Sequence, residues 1–254
     1  MIKSGLKGVL NLEGKFVNVG KDKEKKQAYI KRSNESNNSH LERDFAQRSL
    51  SFRISKRGLD ILGSLIGLIC FSPLFLIVAF LIKKEDSKGH VLFAQQRVGK
   101  NGKPFIMYKF RSMCTDAEKK LDELLEYNEI EGAMFKIKKD PRVTKIGKKL
   151  RQTSIDELPQ LWNVLKGDMT LVGPRPPLER EVKEYSQHDM LRLTVKPGCT
   201  GLWQICGRND IHFDDMVELD LEYIANPSLM SDIKIIFATA KTMLSINSNS
   251  NGAY

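Results

Sequence analysis

A run of 21 residues without a formal charge, Leu62 to Ile82, constrains this chain more than any other feature. Folded as a helix rising ~1.5 Å per residue, it would span roughly 30 Å, the thickness of a bilayer's hydrocarbon core. A single transmembrane helix is the simplest reading. Ser72-Pro73 at its midpoint speaks against that, because a central proline removes a backbone hydrogen bond and kinks the helix. The flanks give no preferred side. Arg48, Arg53, Lys56 and Arg57 precede the run, and Lys83, Lys84, Lys88 and Arg97 follow it. From the residues alone, a spanning helix and a re-entrant one that enters, breaks and returns are equally compatible.

The remainder of the 254 residues reads as a soluble body, since 28% charged residues argue against wholesale membrane burial. The net charge of +10 is uneven, with twelve Lys/Arg against six Asp/Glu in residues 1–53. Such a surplus attracts anionic lipid, nucleic acid or phosphorylated substrates. An aromatic content of 8% and the lack of a recognisable nucleic-acid motif argue against nucleic acid as the partner. Residues 1–50 read as a basic, poorly ordered leader, because Lys31 to His40 offers almost nothing apolar to bury. No apolar core or cleavage site makes it a signal peptide. Cys70, Cys114, Cys199 and Cys206 form no C-x-x-C pair and fit reduced thiols.

Beyond Lys83, Val91–Phe93 and Phe105–Tyr108 are predicted strands around a Gly-rich turn at 98–103. A charged amphipathic helix is predicted over 115–131, with Leu121, Leu124 and Leu125 on one face. Two late helices, near 213–225 and 229–246, are divided by Asn226-Pro227.

The chemistry concentrates in R-Q-T-S-I-D-E-L-P-Q, residues 151–160. Ser154-Ile-Asp-Glu157 matches a capping box, with Ser154 as N-cap and Glu157 reaching back. In that reading Asp156 sits at a helix N-terminus, where the macrodipole favours its ionised form. An ionised, accessible carboxylate can attack phosphorus or bind a hard cation. Arg151, and Arg175 in the stiff turn Pro174-Arg175-Pro176, could offset pyrophosphate charge, and Lys109, Arg111 and Arg208 add further cations. Taken singly, the cap and the solvated surface cation are the simpler readings. The glycines and proline of 195–208 suggest a tight loop lining a site, with Trp203 available for packing or stacking.

Seven segments in order then carry a resemblance: Lys109-Phe-Arg-Ser-Met113, Asp140-Pro-Arg-Val-Thr144, Leu150-Arg151, Ser154-Ile-Asp-Glu-Leu-Pro-Gln-Leu161, Asn163-Val-Leu-x-Gly-Asp-Met169, Leu171-Val-Gly-Pro-Arg-Pro176 and Pro197-Gly-x-Thr-Gly-x-Trp-Gln204. Over about Ser55 to Leu244 the chain resembles the bacterial sugar transferases, the monotopic phosphoglycosyl transferases that initiate surface glycan assembly. The resemblance implies transfer of a sugar 1-phosphate from a UDP-sugar to undecaprenyl phosphate, with release of UMP, through a covalent aspartyl intermediate.

The same resemblance implies a role for individual residues. Asp156 is the nucleophile and contacts Mg²⁺, and Glu157 acts in proton transfer or positioning. Arg151 links the catalytic helix to the membrane segment or to phosphate. Pro174-Arg175-Pro176 is associated with uridine and Arg208 with phosphate. Lys56-Arg57 and Ser72-Pro73 match the family's membrane segment, which turns the balance to a re-entrant helix. Ile155 and Thr170 stand where Leu and Ser are usual, the leader has no counterpart, and the four-helix region of larger members is not matched.

The expected fold is therefore α+β and predominantly helical, a monotopic membrane protein on the cytoplasmic face of the bacterial inner membrane. It divides into a leader (1–50), a Pro-broken re-entrant helix (51–84), a catalytic domain (85–247) and a tail (248–254). A monomer and a homodimer are both compatible with the sequence.

Overall fold

The computed structural model describes residues 9–10, 16–17, 49–117, 119–124, 126, 137, 140–206 and 212–245. The tail, Arg208 and all of the leader except Ser49, Leu50 and two two-residue strands, β1 (Val9–Leu10) and β2 (Phe16–Val17), lie outside them.

The apolar run forms two helices, α1 (Leu50–Cys70) and α2 (Ser72–Glu85), bent by 58°. Pro73 occupies the first turn of α2, where its missing N–H costs nothing. Ser72 Oγ donates to the Ile69 carbonyl at 2.8 Å, satisfying an oxygen near the break. No single described helix is long and apolar enough to cross a membrane, whereas the bent pair together has the length and composition to do so. The pair is apolar both inward and outward. Val78 and Ile82 are buried against Phe110 and Leu150, while Leu76 and Ile77 are 75% and 56% exposed.

One face of α1 is polar and binds the body. Lys56 Nζ donates to Asp232 Oδ2 at 2.7 Å, to Tyr223 Oη at 3.0 Å and to the Val172 carbonyl at 3.2 Å. Arg57 donates to the Val164 and Leu165 carbonyls at 2.7 and 2.8 Å. One turn on, buried Asp60 accepts from Thr170 Oγ1 and from the Leu171 amide, both at 2.8 Å. Gly63 and Gly67 then let Leu171 and Leu161 lie so close that a Cβ at either glycine would overlap them.

The body follows as a hairpin, β3 (Leu92–Val98) against β4 (Pro104–Phe110), antiparallel and in register from Leu92↔Phe110 to Val98↔Pro104. Asn101 and Gly102 are both left-handed, as a tight hairpin turn requires. The hairpin is where the sequence places it, with longer strands. Of the helix predicted over 115–131, the described residues contain the turn Leu121–Leu124.

Helix α3 (Lys145–Thr153) starts under a double cap. Thr144 Oγ1 accepts from the Gly147 amide at 2.9 Å, and Glu85, the last residue of α2, accepts from the Lys145 and Ile146 amides at 2.8 and 3.0 Å. A 3₁₀ turn (Ile155–Glu157) leads to α4 (Gln160–Lys166). In α4 the buried Asn163 bonds the β4 backbone at Ile106 and Tyr108. Two short parallel strands, β5 (Thr170–Val172) and β6 (Gly198–Thr200), bracket the remaining loops. Helix α5 (Leu202–Cys206) and the predicted late helices, α6 (Phe213–Ala225) and α7 (Leu229–Ser245), complete the chain. Val172, Leu191, Val217, Leu221, Ile224 and Ile235 form the core beneath them. The α+β, mainly helical class expected from sequence describes this architecture.

Because Asp232 is 1% exposed, removing its ammonium partner strands a buried charge. Lys56→Met should lower stability by on the order of 3 kcal/mol, and Lys56→Met/Asp232→Leu should recover much of that loss. Denaturant unfolding of the full chain in detergent measures both. An unchanged midpoint for the single variant would show that the clamp is energetically idle.

Candidate active site

The acidic pair lies in the 3₁₀ turn between α3 and α4, and the capping box expected there is not formed. Ser154 is instead the left-handed C-cap of α3, at φ 56°, and its side chain makes no cap bond. Its amide donates to the Arg151 carbonyl at 3.1 Å and its carbonyl accepts from the Glu157 amide at 3.2 Å, so Ser154 closes α3 and opens the 3₁₀ turn through its backbone alone. A non-glycine residue in this region is uncommon and costs roughly 1 kcal/mol or more. It turns the chain sharply enough to bring Asp156 back toward Arg151.

Asp156 is 7% exposed. Burial and then the neighbouring Glu157 charge push its carboxyl up to about 6, against the opposing pull of Lys109 and Arg151. The dipole argument from sequence is therefore overridden, because desolvation outweighs the end of a one-turn helix. Burial also works against charge on Glu157, but Lys109 holds its carboxyl below the usual range. Lys109 Nζ, from β4, donates to Glu157 Oε1 at 2.6 Å. The two adjacent carboxyls thus differ in kind, one poised to take a proton and one held as an anion.

Arg151 Nε donates to Ser112 Oγ at 2.8 Å, and Asp156 and Asp140 face its charge. Asp140 itself is paired with Arg142 at 2.6 Å. Opposite, the Pro174–Pro177 turn is held from several sides. Gly198 N donates to the Pro174 carbonyl and Gly173 N to Thr200, both at 2.8 Å, and Val98 N donates to Pro177 at 3.0 Å. A Cβ at Gly198 would lie 2.1 Å from Gly173 N, which explains why glycines recur in these segments. Arg175, on this turn, reaches Glu181 at 3.2 Å.

Of the other predicted residues, Arg111 is spent on Asp86, the C-cap of α2, with which it pairs and to whose carbonyl it donates at 2.7 Å. Lys56 and Arg57 dock α1, and Ser72-Pro73 forms the bend, so these four shape the apolar pair rather than the acidic centre. The Cys199 thiol is pushed well above its usual range by burial and then by the Glu157 charge, leaving it inert. One cation was overlooked as a site residue. Arg97, buried in β3, donates to the Pro176 carbonyl at 3.0 Å, and burial and then Arg175 oppose its charge. Its signal was a lone cation inside the strand L-F-A-Q-Q-R-V.

Asp156, Glu157, Lys109, Arg151 and Arg175 line a cleft of about 2170 Å³ that also takes in Gly67, Phe71, Phe93 and Phe237. Its wall is apolar along the helix pair and ionic at Asp156, Glu157, Arg151 and Arg175. Among the described residues no three His, Cys, Asp or Glu side chains converge to hold a metal. Asp156 is the carboxylate that would hold a magnesium ion arriving with substrate phosphates, since such an ion needs only one or two protein carboxylates.

The family model for Bacterial sugar transferase matches residues 51–246. A galactosyl transferase of Streptococcus agalactiae serotype III is 52% identical over 195 residues, covering 76% of this chain and 43% of that protein. An undecaprenyl-phosphate galactose phosphotransferase of Salmonella typhimurium is 44% identical over 218 residues, 84% of this chain and 44% of that protein. An exopolysaccharide production protein of Rhizobium meliloti is 42% identical over 190 residues, 73% of this chain and 84% of that protein. The chain thus spans less than half the length of the first two.

The raised Asp156 carboxyl predicts an inverted pH dependence of stability. The unfolded group titrates near 3.8 and the folded one near 6, so ionisation opposes folding increasingly as pH rises through that window. Asp156→Asn should therefore stabilise the protein by on the order of 3 kcal/mol at pH 8, with the gain gone by about pH 3, below the unfolded pKa. Unfolding at pH 8 and pH 3 checks this, and a variant less stable than wild type at pH 8 would refute it.

Proposed function

Because the chain belongs to the bacterial sugar transferase family, we propose that it moves a sugar 1-phosphate from a UDP-sugar to undecaprenyl phosphate, releasing UMP, as an initiating step of exopolysaccharide, capsule or related surface glycan synthesis. The observation that carries the reading is the buried carboxyl of Asp156 at the junction of an ionic and an apolar wall. A nucleotide sugar needs the first and a polyprenyl chain the second.

In the proposed mechanism the Asp156 carboxylate attacks the sugar-bearing phosphorus. The bond from that phosphorus to the bridging oxygen breaks, UMP leaves with that oxygen, and an aspartyl-phosphosugar remains. An oxygen of undecaprenyl phosphate then attacks the same phosphorus, and the phosphorus–carboxylate bond breaks to restore Asp156. Arg151 and Arg175 stabilise charge moving onto phosphate oxygens. Lys109 keeps Glu157 ionised and oriented, which suits Glu157 to positioning beside Asp156 rather than to holding a proton. Asp156 would hold Mg²⁺, which supplies neutralisation of the pyrophosphate charge when bound.

The bent helix pair supports a re-entrant seat in the cytoplasmic leaflet of the inner membrane, with both polar ends on one side and exposed Leu76, Ile77 and Phe80 in lipid. That placement would bring the cleft to the plane of the lipid phosphate.

The test is UMP release by the full chain in detergent with Mg²⁺, undecaprenyl phosphate and a panel of UDP-sugars. Release is expected from at least one sugar, with sugar-phosphate label retained on wild type before lipid is added. Asp156→Asn should lose both signals by at least ~10³-fold. No release from any UDP-sugar would sink the activity, and full turnover by Asp156→Asn would sink the covalent route.

A further inference from the structure

Arg97 is a buried cation that the fold leaves without a counter-ion. It is 7% exposed, and no carboxylate among the described residues is paired with it. Neutral oxygens alone hold its guanidinium. Nε and Nη2 donate to Gln95 Oε1 at 3.1 and 2.7 Å, and Nη1 donates to the Pro176 carbonyl at 3.0 Å. These bonds use three of the five N–H groups that an arginine carries, one on each nitrogen. A second N–H therefore remains on each terminal nitrogen. A charge desolvated in this way is costly to a protein that offers it nothing to neutralise.

The surroundings narrow the missing partner. Arg97 lines a side pocket of about 50 Å³ with Lys109, Arg175, Glu157, Cys199 and Gln204, and all six also line the main cleft. Charge does not cancel there. Lys109 is matched to Glu157 and Arg175 to Glu181, so three cations face two carboxylates and the surplus is Arg97. Burial and then Arg175 oppose the Arg97 charge, and Glu181 and Glu157 offset that opposition only in part. A water or a neutral ligand leaves the surplus in place. The volume is little more than one water molecule's share of the liquid, roughly 30 Å³, so neither a ring nor a whole phosphate group fits. A single anionic oxygen, carried on a larger group that stays in the cleft, meets both the size and the charge. Because Glu157 adjoins Asp156, that oxygen belongs to a phosphate at or next to the reacting phosphorus.

We infer that the side pocket is an oxyanion site in which Arg97 binds one non-bridging oxygen of a substrate phosphate. The inference rests on the nucleotide-sugar reading given above. It adds to Arg151 and Arg175 a cation for which no carboxylate of the fold competes. Charge-assisted bonds from a guanidinium to phosphate are roughly twice as strong as neutral ones. In a site that excludes water they gain further as charge grows on oxygen during transfer. The phosphate is that of the nucleotide or that of the lipid acceptor, since the two reach Asp156 in successive steps of the proposed reaction.

The experiment compares each phosphate ligand with its neutral parent, UMP with uridine and undecaprenyl phosphate with undecaprenol, by thermophoresis of the labelled full chain in detergent. Arg97→Met removes the charge, and Arg97→Gln removes it while keeping an amide donor. In at least one of the two pairs, the phosphate ligand should weaken by roughly 10- to 100-fold and its parent by less than about twofold. Retained affinity for the parent shows that a variant is folded, so either variant alone decides. A loss confined to UMP assigns the oxygen to the nucleotide, a loss confined to undecaprenyl phosphate assigns it to the acceptor, and both outcomes support the inference. Equal losses for a phosphate and its parent would make Arg97 a brace for the Pro176 turn and overturn it. Phosphate affinities unchanged in both variants would also overturn it, while leaving the nucleotide-sugar reading standing. A wild-type chain that binds neither UMP nor undecaprenyl phosphate would overturn that reading itself.

Discussion

The docking of α1 through Lys56, Arg57 and Asp60 is the constraint on which the rest of this architecture depends. A helix apolar on most of its surface has no reason of its own to hold one rotation against a water-soluble body. Three charged side chains within five positions supply that reason, and between them they reach three elements: α7 and β5 for Lys56, the end of α4 for Arg57, β5 again for Asp60. The Arg57 contact also places a cation on the last carbonyls of α4, the favourable end of that helix. With α1 fixed, Leu161 and Leu171 settle onto its glycines, and the turn bearing the acidic pair is carried at the head of α4.

The site itself trades stability for poise. A left-handed serine, a desolvated aspartate and a buried arginine opposed by a second arginine are each unfavourable in isolation. They are tolerated because rigid neighbours over-determine them: a hairpin on one side, the glycine-packed Pro174–Pro177 turn on the other. Glu157 is the counterweight, since its pairing with Lys109 fixes where negative charge resides before any substrate arrives.

Much of this was legible in the sequence. Periodicity and Asn226-Pro227 placed α6 and α7, the glycine-rich turn placed the hairpin, and Ser72-Pro73 marked the bend. The acidic pair and its arginines were also visible, through motifs in order. What was not legible required three-dimensional neighbours. Ser154-x-x-Glu157 satisfies a capping pattern locally, yet Lys109, 48 positions away, claims the glutamate. Lys56 and Arg57 look like charges at a membrane border until Asp232 and the α4 carbonyls are seen to accept them. Arg111 resembles a substrate cation until Asp86 takes it. In each case a short-range pattern was outcompeted by a partner distant in sequence, and burial rather than the helix end decided the state of Asp156.

The cap that Glu85 places on α3 has a metrical consequence. The last residue of the apolar pair holds the first amides of a nine-residue helix, and the acidic turn begins where that helix ends. At ~1.5 Å per residue, α3 is a strut of roughly 14 Å. It works as a ruler, graduated in helical residues, between the seat of the apolar pair and the carboxyl of Asp156. Each residue added or removed would shift the carboxyl by about 1.5 Å and swing it through roughly 100°. The length of α3 is therefore a setting as specific as any side chain in the cleft.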